Sequence, residues 1–285
     1  MSGYKTFAVV GAGTLGAPVI EELLKAQAAG KISSVGLVTR SSTHPLSAKG
    51  VKILTVNYED PSSLQTALSG VDVVLSTVGA EALALQSKLA QAAVKTGVKL
   101  FVPSEFGNPT ESDIPGPLGL KYQFRQELRK LGLPYTAIYT GLFTNFIVSL
   151  PPIGWDLKNG KITIFGHGEA KNTWTDIPDI ARYIAHVFTE VPREKLEWQT
   201  LRIQGDLTSF NEIHAAYEAR TGKKVEVTRV SHEDLKARVD NNPDDFLGWL
   251  LLQWDGGAAN VGQSGPLALD LFPDWNPKKV VDVIA

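Results

Sequence analysis

A chain of 285 residues, 43% hydrophobic and 20% charged, is long enough to bury a full core as one large domain or a domain with a smaller lobe. Its net charge of −2 and scattered basic residues give no electrostatic reason to expect a nucleic-acid partner. It has no cysteine, which excludes disulfides, thiolate catalysis and cysteine-ligated metal and makes the cytoplasm the expected location.

The first element is an apolar run from Tyr4 to Val10 that leads into Gly11-Ala12-Gly13-Thr14-Leu15-Gly16 and a helix-like stretch reaching Ala28. Strand, G-x-G-x-x-G loop and helix in that order predict a dinucleotide site. Gly11 permits the turn out of the strand, Gly13 lets the backbone approach a pyrophosphate, and Gly16 lets the helix pack closely on the sheet. The helix N-terminus, beginning at Thr14 and Leu15, then offers unpaired N–H groups to the phosphates. The opening residues carry no leader pattern, and no apolar run approaches membrane-spanning length, so no membrane association is expected.

The next strand, Val35 to Thr39, ends in Arg40-Ser41-Ser42 where an acidic residue would hold an NAD ribose. From Leu23 through Tyr58 there is no acidic residue, whereas Lys25, Lys31, Arg40, Lys49 and Lys52 are basic. A 2′-phosphate meets donors there, so NADP(H) is the expected cofactor and Arg40 its contact.

Strands near 5–10, 35–39, 52–56, 72–76, 98–102, 135–139 and 200–204 alternate with helices near 14–28, 61–69, 82–96 and 118–131. This pattern predicts an α/β, doubly wound parallel sheet of the Rossmann type. Pro61 after Asp60 suits a first helical turn, and Gly97 and Gly132 suit helix ends. Three later strand ends should line one crevice: Ser76 to Gly79, Pro103 to Gly107, and Thr140 to Phe143. Within them Thr77, Val78, Gly79, Ser104, Glu105, Phe106, Thr140 and Phe143 are expected to border the cofactor. Phe106 and Phe143 should also meet the substrate.

Along residues 118–131, Leu120, Phe124, Leu128 and Leu131 read as an apolar stripe with Lys121 at its margin. A margin lysine often only snorkels. A lysine partly desolvated beside the crevice would instead lose proton affinity and serve as a general acid or base. Spacing alone leaves both readings open.

The alternation breaks at Pro151-Pro152-Ile153-Gly154. Residues 1–150, with 174–204 returning to them, form the expected cofactor domain; 151–173 and 205–285 form the expected smaller C-terminal substrate lobe. His167, between Gly166 and Gly168, and Trp174 are pocket candidates in this part of the chain. The apolar 246–254 segment fits a pocket wall, a buried helix or an oligomer contact. The five histidines show no metal-ligand spacing, so no metal is expected. No G-x-S-x-G elbow or G-x-x-x-x-G-K-[ST] loop occurs.

Phe101-Val102-Pro103-Ser104-Glu105-Phe106-Gly107-Asn108, the preceding Val71 to Gly79, and Lys121 near a helix start together resemble isoflavone reductase-like enzymes. This atypical short-chain dehydrogenase group includes the phenylcoumaran benzylic ether and pinoresinol-lariciresinol reductases and shades into NmrA-like proteins. The resemblance covers most of residues 1–190 and implies NADPH-dependent reduction with Lys121 at the catalytic lysine position. Two departures stand out. Plant members more often begin with Gly-x-x-Gly-x-x-Gly, and the C-terminal lobe matches no known motif. No tyrosine is followed four residues later by lysine, so the Tyr-x-x-x-Lys pair of ordinary short-chain dehydrogenases is missing and a lysine-only mechanism is implied.

The expected reaction is hydride transfer from NADPH to an electron-poor carbon of a small aromatic or phenolic substrate. That carbon belongs to a conjugated alkene, a quinone methide or benzylic ether, or a carbonyl, with Lys121 supplying or removing the proton. A non-catalytic NADP-binding regulator of the NmrA type and a cofactor-retaining epimerase or isomerase are the alternatives. A monomer or homodimer is expected.

Overall fold

The structure, a computed structural model, describes residues 3–112 and 117–285. Strands β1 (Thr6–Val10), β2 (Ser34–Thr39), β3 (Lys52–Thr55), β4 (Val73–Ser76) and β5 (Leu100–Val102) form a parallel sheet in the order β3-β2-β1-β4-β5. Beyond β5, a bridge between Phe101 and Tyr135 brings in β6 (Thr136–Tyr139). The connections are helices α1 (Gly16–Ala28), α2 (Pro61–Leu68), α3 (Leu85–Thr96) and α4 (Pro117–Leu131). Strand order reverses between β1 and β4, which places the ligand crevice at their carboxyl ends.

Burial on both faces explains why these strands are nearly continuous apolar runs. Phe7, Val9, Val35, Leu37, Val73, Leu75, Leu100 and Val102 face one layer with Ile20 and Leu23 of α1. Ala8, Val10, Val38, Val74 and Phe101 face the other with Leu64 of α2, Leu89 of α3 and Phe124 of α4. Asp60 starts α2 by accepting the Ser62 N–H at 2.9 Å, with Pro61 in the first turn. Such a cap is worth ~1 kcal/mol. Gly97 closes α3 in the left-handed region at φ 75°.

One packing expectation for α4 is corrected. Leu120 is 48% exposed, whereas Leu118, Phe124, Arg125 and Leu128 are buried. The inward face is set by a polar demand as well as an apolar one, because the buried Glu105 beneath the helix draws Arg125 inward.

The chain then builds smaller sheets. Strand β7 (Leu142–Phe143) is followed by the short helix α5 (Thr144–Ile147), β8 (Lys161–Phe165) and β9 (Asn172–Thr175). Helix α6 (Ile177–Glu190) returns to the main sheet and packs beside α1. β10 (Gln199–Arg202) extends that sheet by pairing in parallel with β6. β11 (Asp206–Thr208) completes a three-stranded sheet, β11-β9-β7, and β12 (Glu226–Val230) pairs with β8. Helices α7 (Phe210–Thr221), α8 (His232–Asn241), α9 (Phe246–Asp255) and α10 (Val280–Ile284) enclose a separate core around Ile162, Ile164, Trp174, Phe210 and Leu251. The 246–254 segment is therefore helical. Residues 268–275 cross back, and the Trp275 indole N–H donates to Asp179 O at 3.1 Å. Among the described residues no helix is long and apolar enough to cross a membrane.

Candidate active site

A cavity of about 500 Å³ opens at the carboxyl ends of β1, β4, β5 and β6. Its floor is Gly13, Thr14 and Leu15 after β1, Thr77 to Ala80 after β4, and Ser104 and Phe106 to Asn108 after β5. Gly141 to Phe143, Phe146 and Ile147 form one wall, and Phe246, Leu250 and Trp254 of α9 form the roof. Lys121 enters from the second turn of α4.

The glycine loop is held tightly on one side and open on the other. A Cβ on Gly16 would lie 2.2 Å from Gly11 O and 2.4 Å from Thr77 Oγ1, so only glycine permits the approach. The Thr77 hydroxyl donates to Gly11 O at 3.0 Å. A Cβ on Gly13, by contrast, meets no atom within 4 Å. The N-cap residue Leu15 supplies no side-chain acceptor, and the first turn of α1 has no acidic residue. Ala17 N–H donates to Gly13 O at 3.2 Å and Pro18 has no N–H, so the glycine-bordered backbone from Gly13 to Gly16 is the part of this loop that suits a dinucleotide pyrophosphate.

Arg40 stands exposed after β2, near Tyr58, and forms no ion pair with any described residue. Three of the other basic residues of the stretch are more committed: Lys25 pairs with Glu22, Lys31 with Glu190 and Lys49 with Glu21. The acidic partners come from α1 and α6, outside the acid-free stretch.

The segment after β5 is fastened at both ends. Ser104 N–H donates to the buried Gln86 Oε1 at 2.8 Å, and Ser104 Oγ donates to Val78 O at 2.7 Å. The Glu105 side chain turns away from the cavity. Its carboxylate is fully buried, with Oε1 2.6 Å from Arg125 Nη1 and Oε2 accepting from Thr110 Oγ1 at 2.6 Å. Arg125 also donates to Thr110 O at 2.6 Å, and its guanidinium lies 5.7 Å from the Tyr139 ring centroid. The backbone carbonyl of Glu105, not its carboxylate, reaches Lys121, accepting from Nζ at 2.9 Å.

Burial lowers the proton affinity of Lys121 below that of an ordinary lysine, with Glu105 opposing the shift and Arg125 adding to it. Burial also raises the Tyr139 hydroxyl, as does Glu105, while Arg125 acts against them. A lysine so placed can hold or release a proton at the cavity edge.

The cavity thus collects Gly13, Thr14, Leu15, Thr77, Val78, Gly79, Ser104, Phe106, Lys121 and Phe143. Gly11 and Gly16 sit behind its surface as packing glycines. Thr140 is buried beneath it, its carbonyl accepting from Thr175 Oγ1 at 2.8 Å. Two substrate-pocket expectations lie elsewhere. Trp174 is fully buried against Phe210, its indole N–H donating to Thr208 O at 3.2 Å, because all four residues of β9 face packed surroundings. His167 sits in the exposed turn between β8 and β9, bonded to Asp255.

Sequence reasoning missed Gln86, Asn108 and Arg125. Only Arg125 carried a signal, four residues after Lys121 on the same helix face. Asn108 Oδ1 accepts from Trp254 Nε1 at 3.2 Å and ties the roof to the loop after β5.

Comparison with known proteins places these features in context. The sequence profile of the NmrA-like family matches residues 3–252. A phenylcoumaran benzylic ether reductase of Ginkgo biloba is 29% identical over 245 residues, covering 80% of this chain and 78% of that protein. An isoflavone reductase homologue of Arabidopsis thaliana is 33% identical over 208 residues, covering 68% of this chain and 66% of its own. Among solved structures, the leucoanthocyanidin reductase–NADPH complex of Vitis vinifera superposes with a TM-score of 0.82 at 21% identity, covering 98% of each chain.

Proposed function

The chain belongs to the NmrA-like family, and from that membership and the cavity geometry we propose an NADPH-dependent reductase acting on a small aromatic or phenolic substrate. The observation that carries this reading is Lys121. Its ammonium is desolvated, anchored 2.9 Å from the Glu105 carbonyl, and set at the edge of a cavity whose far side is the glycine loop.

NADPH, when bound, supplies the hydride. Gly13, Thr14, Leu15 and the N-terminus of α1 hold the pyrophosphate, with Gly11 and Gly16 shaping the loop, and Arg40 meets the 2′-phosphate. Thr77, Val78, Gly79, Ser104, Glu105 through its backbone, Phe106, Lys121 and Phe143 border the nicotinamide end, with the buried Thr140 supporting them from beneath. The apolar walls Phe106, Phe143, Phe146, Phe246, Leu250 and Trp254 exclude water and favour a flat aromatic substrate. Lys121 donates its proton as negative charge develops on the substrate, and solvent reprotonates it. Its lowered proton affinity brings that donation closer to neutral pH. The relatives named as phenylcoumaran benzylic ether reductase and isoflavone reductase homologue support the substrate class.

The test is NADPH oxidation by the wild-type protein across phenolic enones, quinones, benzylic ethers and aryl ketones, with NADPH and NADH binding followed by cofactor fluorescence. Turnover of an aromatic member with NADPH preferred supports the reading. Tight NADPH binding without turnover on any member would instead favour a redox sensor.

A further inference from the structure

Behind the cavity roof, three side chains from distant parts of the sequence converge. Asp255 ends α9 with its side chain only 2% exposed. Its Oδ2 lies 2.7 Å from His232 Nδ1 and 3.2 Å from His167 Nδ1, and its Oδ1 accepts the backbone N–H of His167 at 2.7 Å. The two imidazoles are 5.4 Å apart between centroids. One donor atom from each of the three residues lies within 4.8 Å of the other two.

The surroundings hold this cluster in place. A Cβ on Gly166 would fall 2.0 Å from Asp255 Cγ, so the carboxylate occupies the space a side chain would need, and φ of +67° independently favours glycine there. Asn211 Nδ2 donates to His167 O at 3.1 Å and pins the turn. His232 is fixed at the first position of α8, after the Ser231 cap.

We propose that His167, His232 and Asp255 form a binding site for a borderline divalent transition metal, of which Zn²⁺ is the test case. In a tetrahedral zinc site with bonds of ~2.0–2.2 Å, adjacent donors stand ~3.3 Å apart. The observed oxygen-to-nitrogen spacings of 2.7 and 3.2 Å need about 0.6 and 0.1 Å of movement to match. Two imidazoles with one carboxylate suit zinc, copper or nickel better than magnesium or calcium, which favour oxygen donors. Each imidazole now presents Nδ1 to the same carboxylate oxygen. On metal binding its proton moves to the solvent-facing Nε2, which frees the Nδ1 lone pair without changing the ring's charge.

The metal would clamp the β8–β9 turn, the start of α8 and the end of α9. The roof residue Trp254 immediately precedes Asp255, so the clamp also braces the cavity.

The experiment titrates untagged, chelator-treated protein with Zn²⁺ by calorimetry and with Co²⁺ by visible absorption, alongside His167→Ala and His232→Ala. Both histidines are partly exposed, so circular dichroism should report intact folds. The expected result is one equivalent bound per chain, with affinity falling at least ~10-fold in each variant. No binding to the wild type, or binding that both variants retain, overturns the site.

Discussion

Glu105→Gln removes one charge from the buried network while keeping nearly the same shape. The Glu105 carboxylate is fully buried and Arg125 is 5% exposed, so the substitution leaves a guanidinium in the interior without its counter-charge. Breaking such a pair costs ~3–5 kcal/mol, and the remaining amide oxygen, still an acceptor for Arg125, puts the loss at the lower end. For a chain of this size that is a fall in Tm of ~6 °C, taking ~2 °C per kcal/mol. The Lys121 contact is with the backbone carbonyl and survives. Its electrostatic environment does not survive unchanged, because Glu105 is the anion that raises Lys121 proton affinity and Arg125, which lowers it, remains. If protonated Lys121 is the acid, activity declines as pH rises through its pKa. Glu105→Gln therefore moves the basic limb of the pH–rate profile to lower pH. Thermal unfolding and kcat/KM against pH measure both effects. An unchanged Tm, or a basic limb displaced to higher pH, would refute the reasoning.

Other perturbations separate the parts of the site. Arg40→Ala should weaken NADPH binding by ~10–100-fold, the worth of a charge-assisted hydrogen bond, and leave NADH binding nearly unchanged in fluorescence titrations. Gly13→Ala, with open space around its Cβ, should preserve Tm and weaken NADPH binding; Gly16→Ala, driven into Gly11 and Thr77, should lose both. Lys121→Met should raise Tm at neutral pH. The folded state holds the Lys121 proton less tightly than the unfolded chain, so wild-type stability rises with pH toward 10.5 and the variant's advantage shrinks over the same window.

Much of this architecture was legible because burial on both faces demands apolar strands such as residues 6–10 and 73–76, and because Asp60-Pro61 and Gly97 mark helix ends chemically. The expected strand and helix positions agree with the structure to within three residues. The glycine loop was legible for the same reason: its spacing is a steric requirement, met where Gly16 touches Gly11 and Thr77. What stayed hidden depends on side-chain direction. Glu105 reads as a loop carboxylate facing a ligand, yet Arg125 and Thr110 turn it inward. Trp174 lies in a strand with no exposed face, so alternation could not assign it to pocket or core. His167 and Asp255 are 88 positions apart, a separation that no linear metal motif covers.

The most direct test of the central claim is the turnover of Lys121→Met at saturating NADPH, on a substrate identified with the wild type, together with its NADPH affinity. The account predicts that kcat falls by at least ~100-fold, the scale of a lost general acid, while NADPH binding persists. Turnover within ~3-fold of wild type, below the ~100-fold scale of general acid catalysis, would contradict it.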